Sequence, residues 1–317
     1  MLKIILIVLT IIVIACLVIA YYIFNSVFLY RDKKTDDGRD EEFVDSDKDL
    51  MRPTAKRLYE YQAPLIKEFN ELELEEVSIR SFDNLNLYGY ILRGNPKEVV
   101  ICVHGYKSAM EYDYCDKIKI YQERGSTVLL LNDRAHGKSE GDYLGFSEHD
   151  KRDVARWVDY VNEVFHEPKI YLHGISMGGA TVIHCANMNL KNVCGIIDDC
   201  GFDSIVNITK YLMKDVYHLP YFPFGNLAWM WSVIITGISF NTSMGEDCVK
   251  NSSCPILFIH GKDDHFVPSY MSERMYEACK QAKQLLLIEN CGHAAAYMCA
   301  TKEYTEAVNR LMNGEFK

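Results

Sequence analysis

The sequence predicts an α/β fold, a mostly parallel sheet covered by helices on both faces. Two observations lead there. From Glu75 onward, apolar runs of strand length alternate with stretches of helical spacing. Those runs are continuous rather than alternating, which is how strands buried on both faces read. The chain has 317 residues, of which 49% are hydrophobic and 25% charged, so a sizeable core is within reach and global disorder is excluded. No fixed-period repeat runs through it.

Residues 1–30 stand outside this pattern and read as a transmembrane anchor. From Ile4 to Phe24 no charge occurs. At about 1.5 Å per residue this run spans a hydrocarbon core of about 30 Å. Tyr21, Tyr22 and Tyr30 lie towards one end, where aromatic rings favour the interface. A cleaved signal peptide is the competing reading. Its apolar region is shorter and ends in an A-x-A-like site, which this run lacks. Lys and Arg after the span, and many unpaired cysteines, point to a cytoplasmic domain. A short N-terminal anchor commonly delivers its domain outward, so the side of the membrane stays open.

Residues 31–74 read as a polar linker followed by an amphipathic segment. "RDKKTDDGRDEEFVDSDKD" is acid-rich and solvated, and "TAKRLYEYQAPLIKEFNEL" has helical spacing that Pro64 interrupts. Residues 75–317 form the main domain. "EEVSIRSF" and "LNLYGYILR" make a hairpin about Asp83-Asn84. "VVICVHG" is a strand and "MEYDYCDKIKIYQERG" a helix closed by Gly125. "TVLLLND" is a strand. "SEHDKRDVARWVDYVNEVF" is a helix with Ser147 as its cap and Asp150 three residues on. "KIYLHG", "VCGIIDDCG", "PILFIHG" and "QLLLIEN" complete the strands, each followed or preceded by a helical run. The excursion at about 202–253 breaks the alternation. It carries many aromatics, Trp229 and Trp231 among them, and is read as a lid over the active end of the sheet.

Net charge −10, with no Lys/Arg run, argues against a nucleic-acid partner. The eleven cysteines include no CxxC pair, and the histidines lack metal-ligand spacing. They are read as buried thiols, and neither metal nor cofactor is expected.

The chemistry centres on "YLHGISMGGA". Ser176 follows a strand and precedes a helix. Such a turn must be sharp, and Gly174 and Gly178 remove side chains that would collide there. This is the G-x-S-x-G pattern in its strand–turn–helix setting. A serine hydroxyl is a weak nucleophile and needs a base, which in turn needs an orienting carboxylate. Asp263 and Asp264 follow one later strand, and His293 follows another. Asp198 and Asp199 end the strand before the excursion and are alternative acids. The order Ser176, Asp264, His293 suits the chemistry.

From Glu75 to the C-terminus the sequence resembles the alpha/beta-hydrolase family. "HGY" at His104–Tyr106, "GISMGG" at Gly174–Gly179, and "HGKDDHFVP" followed by "CGH" carry the likeness. "NDRAHGKSEGD" is similar to a loop of these hydrolases. The N-terminal span together with that loop resembles membrane-associated bacterial members related to acyl-peptidases and lysophospholipase-like enzymes. The resemblance implies the alpha/beta-hydrolase fold and points to Asp264, with Val267-Pro268 behind it, as the acid. It implies an oxyanion hole from the backbone N–H groups of Met177 and Tyr106, with His104 orienting that loop. Ala135 and the "AAAY" after His293 stand where glycines are common. The expected function is a serine hydrolase of an ester, thioester or amide. Acyl or lipid-like substrates are favoured by the apolar lid and the anchor. Acyl transfer, peptidase action and a non-catalytic tethered binding module are the alternatives.

Overall fold

A computed structural model describes residues 1–30, 54–239 and 244–316. The polar linker therefore falls outside the described residues, as does a four-residue piece of the excursion containing Phe240.

Eight strands form one sheet. They are β1 (Glu75–Arg80), β2 (Asn86–Leu92), β3 (Asn95–Val103), β4 (Ser126–Leu131), β5 (Lys169–Ile175), β6 (Val193–Asp199), β7 (Ile256–Gly261) and β8 (Lys283–Ile288). Their order is β1-β2-β4-β3-β5-β6-β7-β8. The first two pairings are antiparallel and the rest parallel. The period of two along each parallel strand divides the core. Val100, Cys102, Val128 and Leu130 face one layer, and Val99, Ile101, Leu129 and Leu131 face the other.

The helices are α1 (Leu2–Phe28), α2 (Ala55–Asn70), α3 (Met110–Tyr114), α4 (Ile118–Arg124), α5 (Asp150–Val164), α6 (Met177–His184), α7 (Ile205–Tyr211), α8 (Phe224–Thr236), α9 (Gly245–Lys250), α10 (Tyr270–Ala278), α11 (Ala296–Cys299) and α12 (Thr301–Met312). A π-helical turn at Leu212–Val216 follows α7. Helices α2 to α4, α11 and α12 cover one face; α5, α6 and α10 cover the other.

Three local expectations change. The helix α2 runs through Pro64 instead of stopping there. Pro64 and Glu60, whose carbonyl loses its partner, are both exposed, so water hydrates the gap while Leu58 and Phe69 anchor each end in the core. The run after β3 is two short helices broken at the buried Asp116–Lys117 pair. Ser147 does not cap α5 through its hydroxyl. The Asp150 carboxylate instead accepts the Ser147 N–H at 2.9 Å.

The larger difference concerns α1. Its length and mean hydropathy of 3.3 suit a membrane span, and from Leu2 to Ile19 it is largely exposed. Its last turns are not a free tether. Phe24 and Phe28, four apart on one helix face, are buried in a third apolar cluster with Phe146, Phe202 and Trp229, and Ala20, four residues earlier on the same face, is buried too. Phe28 packs on Phe146 at 4.5 Å and edge-on to Trp229 at 6.0 Å. Tyr30 N–H and Leu144 N–H bond the carbonyls of Asp142 and Phe28 across the join.

Candidate active site

Ser176 joins β5 to α6 with φ 55° and ψ −115°, a conformation L-residues rarely hold. Its N–H donates to the Asp199 carbonyl at 2.8 Å, which fixes the turn to the neighbouring strand. A side chain at Gly174 would overlap the Gly178 carbonyl, and one at Gly178 would overlap that of Val103. Only glycine lets strand and helix approach this closely.

Loops after β7 and β8 bring Asp264 and His293 to the serine. His293 Nε2 lies 2.9 Å from Ser176 Oγ, and its Nδ1 lies 2.7 Å from Asp264 Oδ2. The other Asp264 oxygen accepts the N–H groups of Phe266 and Val267 at 2.9 and 2.8 Å. A carboxylate so held faces Nδ1 and keeps the proton there, leaving the Nε2 lone pair for the hydroxyl. Burial alone would raise the Asp264 carboxyl. The charge and hydrogen bonds of His293 and His260 outweigh it and hold the group well below the usual carboxylate range.

The alternative acids are engaged elsewhere. Asp198 Oδ1 accepts the Gly201 N–H at 2.9 Å, and Asp199 Oδ2 accepts the Tyr304 hydroxyl at 2.9 Å. Asp263 is partly exposed beside the loop. Cys200, Asp264 and His293 offer ligand atoms within 4.8 Å of one another. However, Asp264 and His293 bond each other, and burial pushes the Cys200 thiol well above its ordinary value.

His260 is a contributor that the sequence reading passed over. It is fully buried, its Nε2 lies 2.8 Å from the Val267 carbonyl and 3.3 Å from Asp264, and its Nδ1 lies 2.7 Å from Ser272. It stands four residues before Asp264, a spacing that was visible in "HGKDD". Burial opposes its charge, but the Asp264 carboxylate raises its pKa.

Met177 opens α6, so its N–H is among the first donors of the helix, which lack partners within it. Tyr106 sits in the loop after β3. That loop is tied down from below: Gly105 N–H and the Ser108 hydroxyl donate to Asp113 at 2.7 and 2.9 Å. His104 bridges the Gly105 carbonyl at 2.9 Å and the Asp133 N–H at 3.2 Å. The loop is also tied to α1. The Tyr106 hydroxyl donates to the Val27 carbonyl at 2.9 Å, and the Lys107 ammonium to that of Ser26 at 2.9 Å. These are last-turn carbonyls without helical partners, at the negative end of the helix dipole.

Two cavities meet at Ser176. One, of about 480 Å³, is lined almost wholly by apolar side chains, among them Phe202, Ile208, Leu212, Met213 and Phe266, with Ile23, Ser26 and Val27 of α1. The other, of about 80 Å³, is bounded by Gln62, Ser108, Asp113, Lys117 and His293. Trp229 and Trp231, the tryptophans of the excursion read as a lid, do not line it. Trp229 packs on Phe28, and Trp231 meets Tyr21 edge-on and bonds the Leu17 carbonyl, so both seat α1.

A family model described as serine aminopeptidase S33 matches residues 94–214, and one described as serine hydrolase FSH1 matches residues 200–295. The uncharacterised protein YqkD of Bacillus subtilis is 25% identical over 304 residues, covering 92% of this chain and 91% of its own. The uncharacterised membrane protein YNL320W of Saccharomyces cerevisiae is 27% identical over 168 residues, 52% of this chain and 53% of its own. The esterase Pf2001 of Pyrococcus furiosus shares the fold with a TM-score of 0.63 at 22% identity, over 78% of this chain and 92% of its own. The chain has the alpha/beta-hydrolase fold, and parts of it are similar to two serine hydrolase family models.

Proposed function

We propose that the chain hydrolyses carboxylic esters of apolar acyl groups through Ser176, His293 and Asp264, held at a membrane by α1. The observation that carries this is the unbroken hydrogen-bonded chain from Asp264 through His293 to Ser176 at the floor of an apolar cavity. Ser176 Oγ attacks the ester carbonyl carbon while His293 Nε2 takes its proton. Asp264 steadies the imidazolium. The N–H groups of Met177 and Tyr106 receive the oxyanion. The imidazolium then gives its proton to the departing alkoxide, and water, deprotonated by His293, releases the acid from the acyl-enzyme.

The match to an aminopeptidase family model favours a second reading, amide cleavage. Against it, none of the described residues lining the larger cavity carries a carboxylate to hold a substrate ammonium. In the smaller cavity, Asp113 is committed to Gly105 and Ser108. The anchor is supported by the exposed apolar length of α1 and by the yeast relative's description as a membrane protein.

The test is covalent labelling. A fluorophosphonate should modify the full-length protein at one site, and Ser176→Ala should lose the label while keeping the fold. Stoichiometric labelling that persists in Ser176→Ala overturns the assignment, and a wild type that neither labels nor cleaves p-nitrophenyl esters points to a binding module.

A further inference from the structure

We infer that the N-terminal helix is itself a wall of the acyl pocket, and that the pocket takes a single acyl chain from an ester lying in the bilayer. This rests on the ester-hydrolase reading above and names where its substrate comes from. On α1 two adjoining stripes do different things. Ala20, Phe24 and Phe28 seat the helix against the domain, while Ile23 and Val27, one step round the helix, face the cavity that holds Ser176. An anchor serving only as a tether has no reason to place side chains beside the reactive serine.

The mouth of the cavity lies beside the helix. Tyr217 and Leu219 line the cavity and are also 54% and 50% exposed, which marks where it opens. Phe222 and Ile234, in the same segment, are 78% and 64% exposed. Tyr217 and Leu219 share the cavity lining with Ile23 and Val27, Ile234 lies on α8, which packs along α1, and Tyr21 and Tyr22 of α1 are exposed. Large apolar groups standing in water are costly at this density. Against acyl chains and headgroups they are not, and tyrosines at such a level favour the interface. A cavity of about 480 Å³ falls within the range of about 300–1,000 Å³ that holds one compact ligand. It accommodates one chain, with the ester carbonyl at Ser176.

The experiment uses the full-length protein in phosphatidylcholine vesicles, with p-nitrophenyl acetate and p-nitrophenyl laurate as probes. Ile23→Trp and Val27→Trp fill the cavity from the helix side and should lower the laurate-to-acetate ratio of kcat/KM tenfold or more. Ile11→Trp, on the exposed part of α1, should leave that ratio within twofold of wild type. Should the tryptophan variants fail to fold, Val27→Ala enlarges the same wall and should shift preference from laurate towards palmitate. Laurate ester supplied in the enzyme's own vesicles should turn over at least tenfold faster than the same amount supplied in separate protein-free vesicles. Unchanged ratios in folded, fluorophosphonate-reactive variants overturn the pocket wall. Equal rates from the two vesicle arrangements overturn delivery through the bilayer. A wild type that neither labels nor cleaves acetate fails the ester-hydrolase reading, and this inference with it.

Discussion

Replacing Asp264 by asparagine changes one atom and should disable the site. Oδ1 of the new side chain can still accept the Phe266 and Val267 N–H groups, so the loop has no reason to move. The amide nitrogen then takes the place of Oδ2, 2.7 Å from His293 Nδ1. Two donors cannot face each other at that distance, so the imidazole moves its proton to Nε2. There it meets the Ser176 hydroxyl, 2.9 Å away, with a donor where a base is needed. The comparable change in a serine protease lowers kcat by about 10⁴, equivalent to about 5.4 kcal/mol of transition-state stabilisation. The assay is p-nitrophenyl butyrate turnover alongside fluorophosphonate labelling, with Asp263→Asn and Asp199→Asn in parallel. Asp264→Asn should lose about four orders of magnitude in kcat with a nearly unchanged melting temperature. The other two should stay within tenfold of wild type. If Asp264→Asn retains a tenth of the activity while either neighbour collapses, the acid has been misassigned and the tautomer argument is wrong.

Two further predictions concern buried charge. Arg134 is 4% exposed and bonds Asp153 at 2.7 and 2.9 Å and Asp83 at 3.0 and 3.2 Å; Arg134→Met strands these carboxylates and should cost about 3–5 kcal/mol, read as a fall in unfolding midpoint. Asp198 is fully buried, and burial pushes its carboxyl up to about 7. A raised carboxyl contributes fully below its unfolded value of about 3.9 and loses that contribution as pH climbs towards 7. The melting-temperature gain of Asp198→Asn should therefore grow between about pH 4 and 7 and level off above; a gain independent of pH would remove ionisation as its cause.

The strands were legible because a doubly buried sheet forces continuous apolar runs, and the serine turn because its glycines have no substitute. The seat of α1 was not. Phe24 and Phe28 against Phe146 and Trp229 use the same residue types that would face lipid, so hydropathy gives length without telling protein from bilayer. His173 was equally opaque. Its spacing excluded a metal motif, but only the fold reveals that Tyr121 and Tyr304 bond its two nitrogens at 2.7 and 3.0 Å inside the core. The path of α2 through Pro64 depends on which side faces water, a tertiary fact. His260 lay in plain view four residues before Asp264, yet its partner Val267 is met only after the chain turns.

The exposed length of α1, Leu2 to Ile19, rises about 27 Å at about 1.5 Å per residue, close to the thickness of a hydrocarbon core of about 30 Å. Full burial against the domain begins at Ala20, just past Leu17, whose carbonyl Trp231 already bonds. There is no stalk between the two, so with α1 in a bilayer the serine rides at a fixed height over the headgroups. Its encounters with substrate are then a search in two dimensions. The velocity of such an enzyme follows the mole fraction of ester in its own leaflet, not the amount per volume. On the ester-hydrolase reading, adding inert phospholipid at constant bulk ester should slow turnover, and an acyl product would re-enter the same plane.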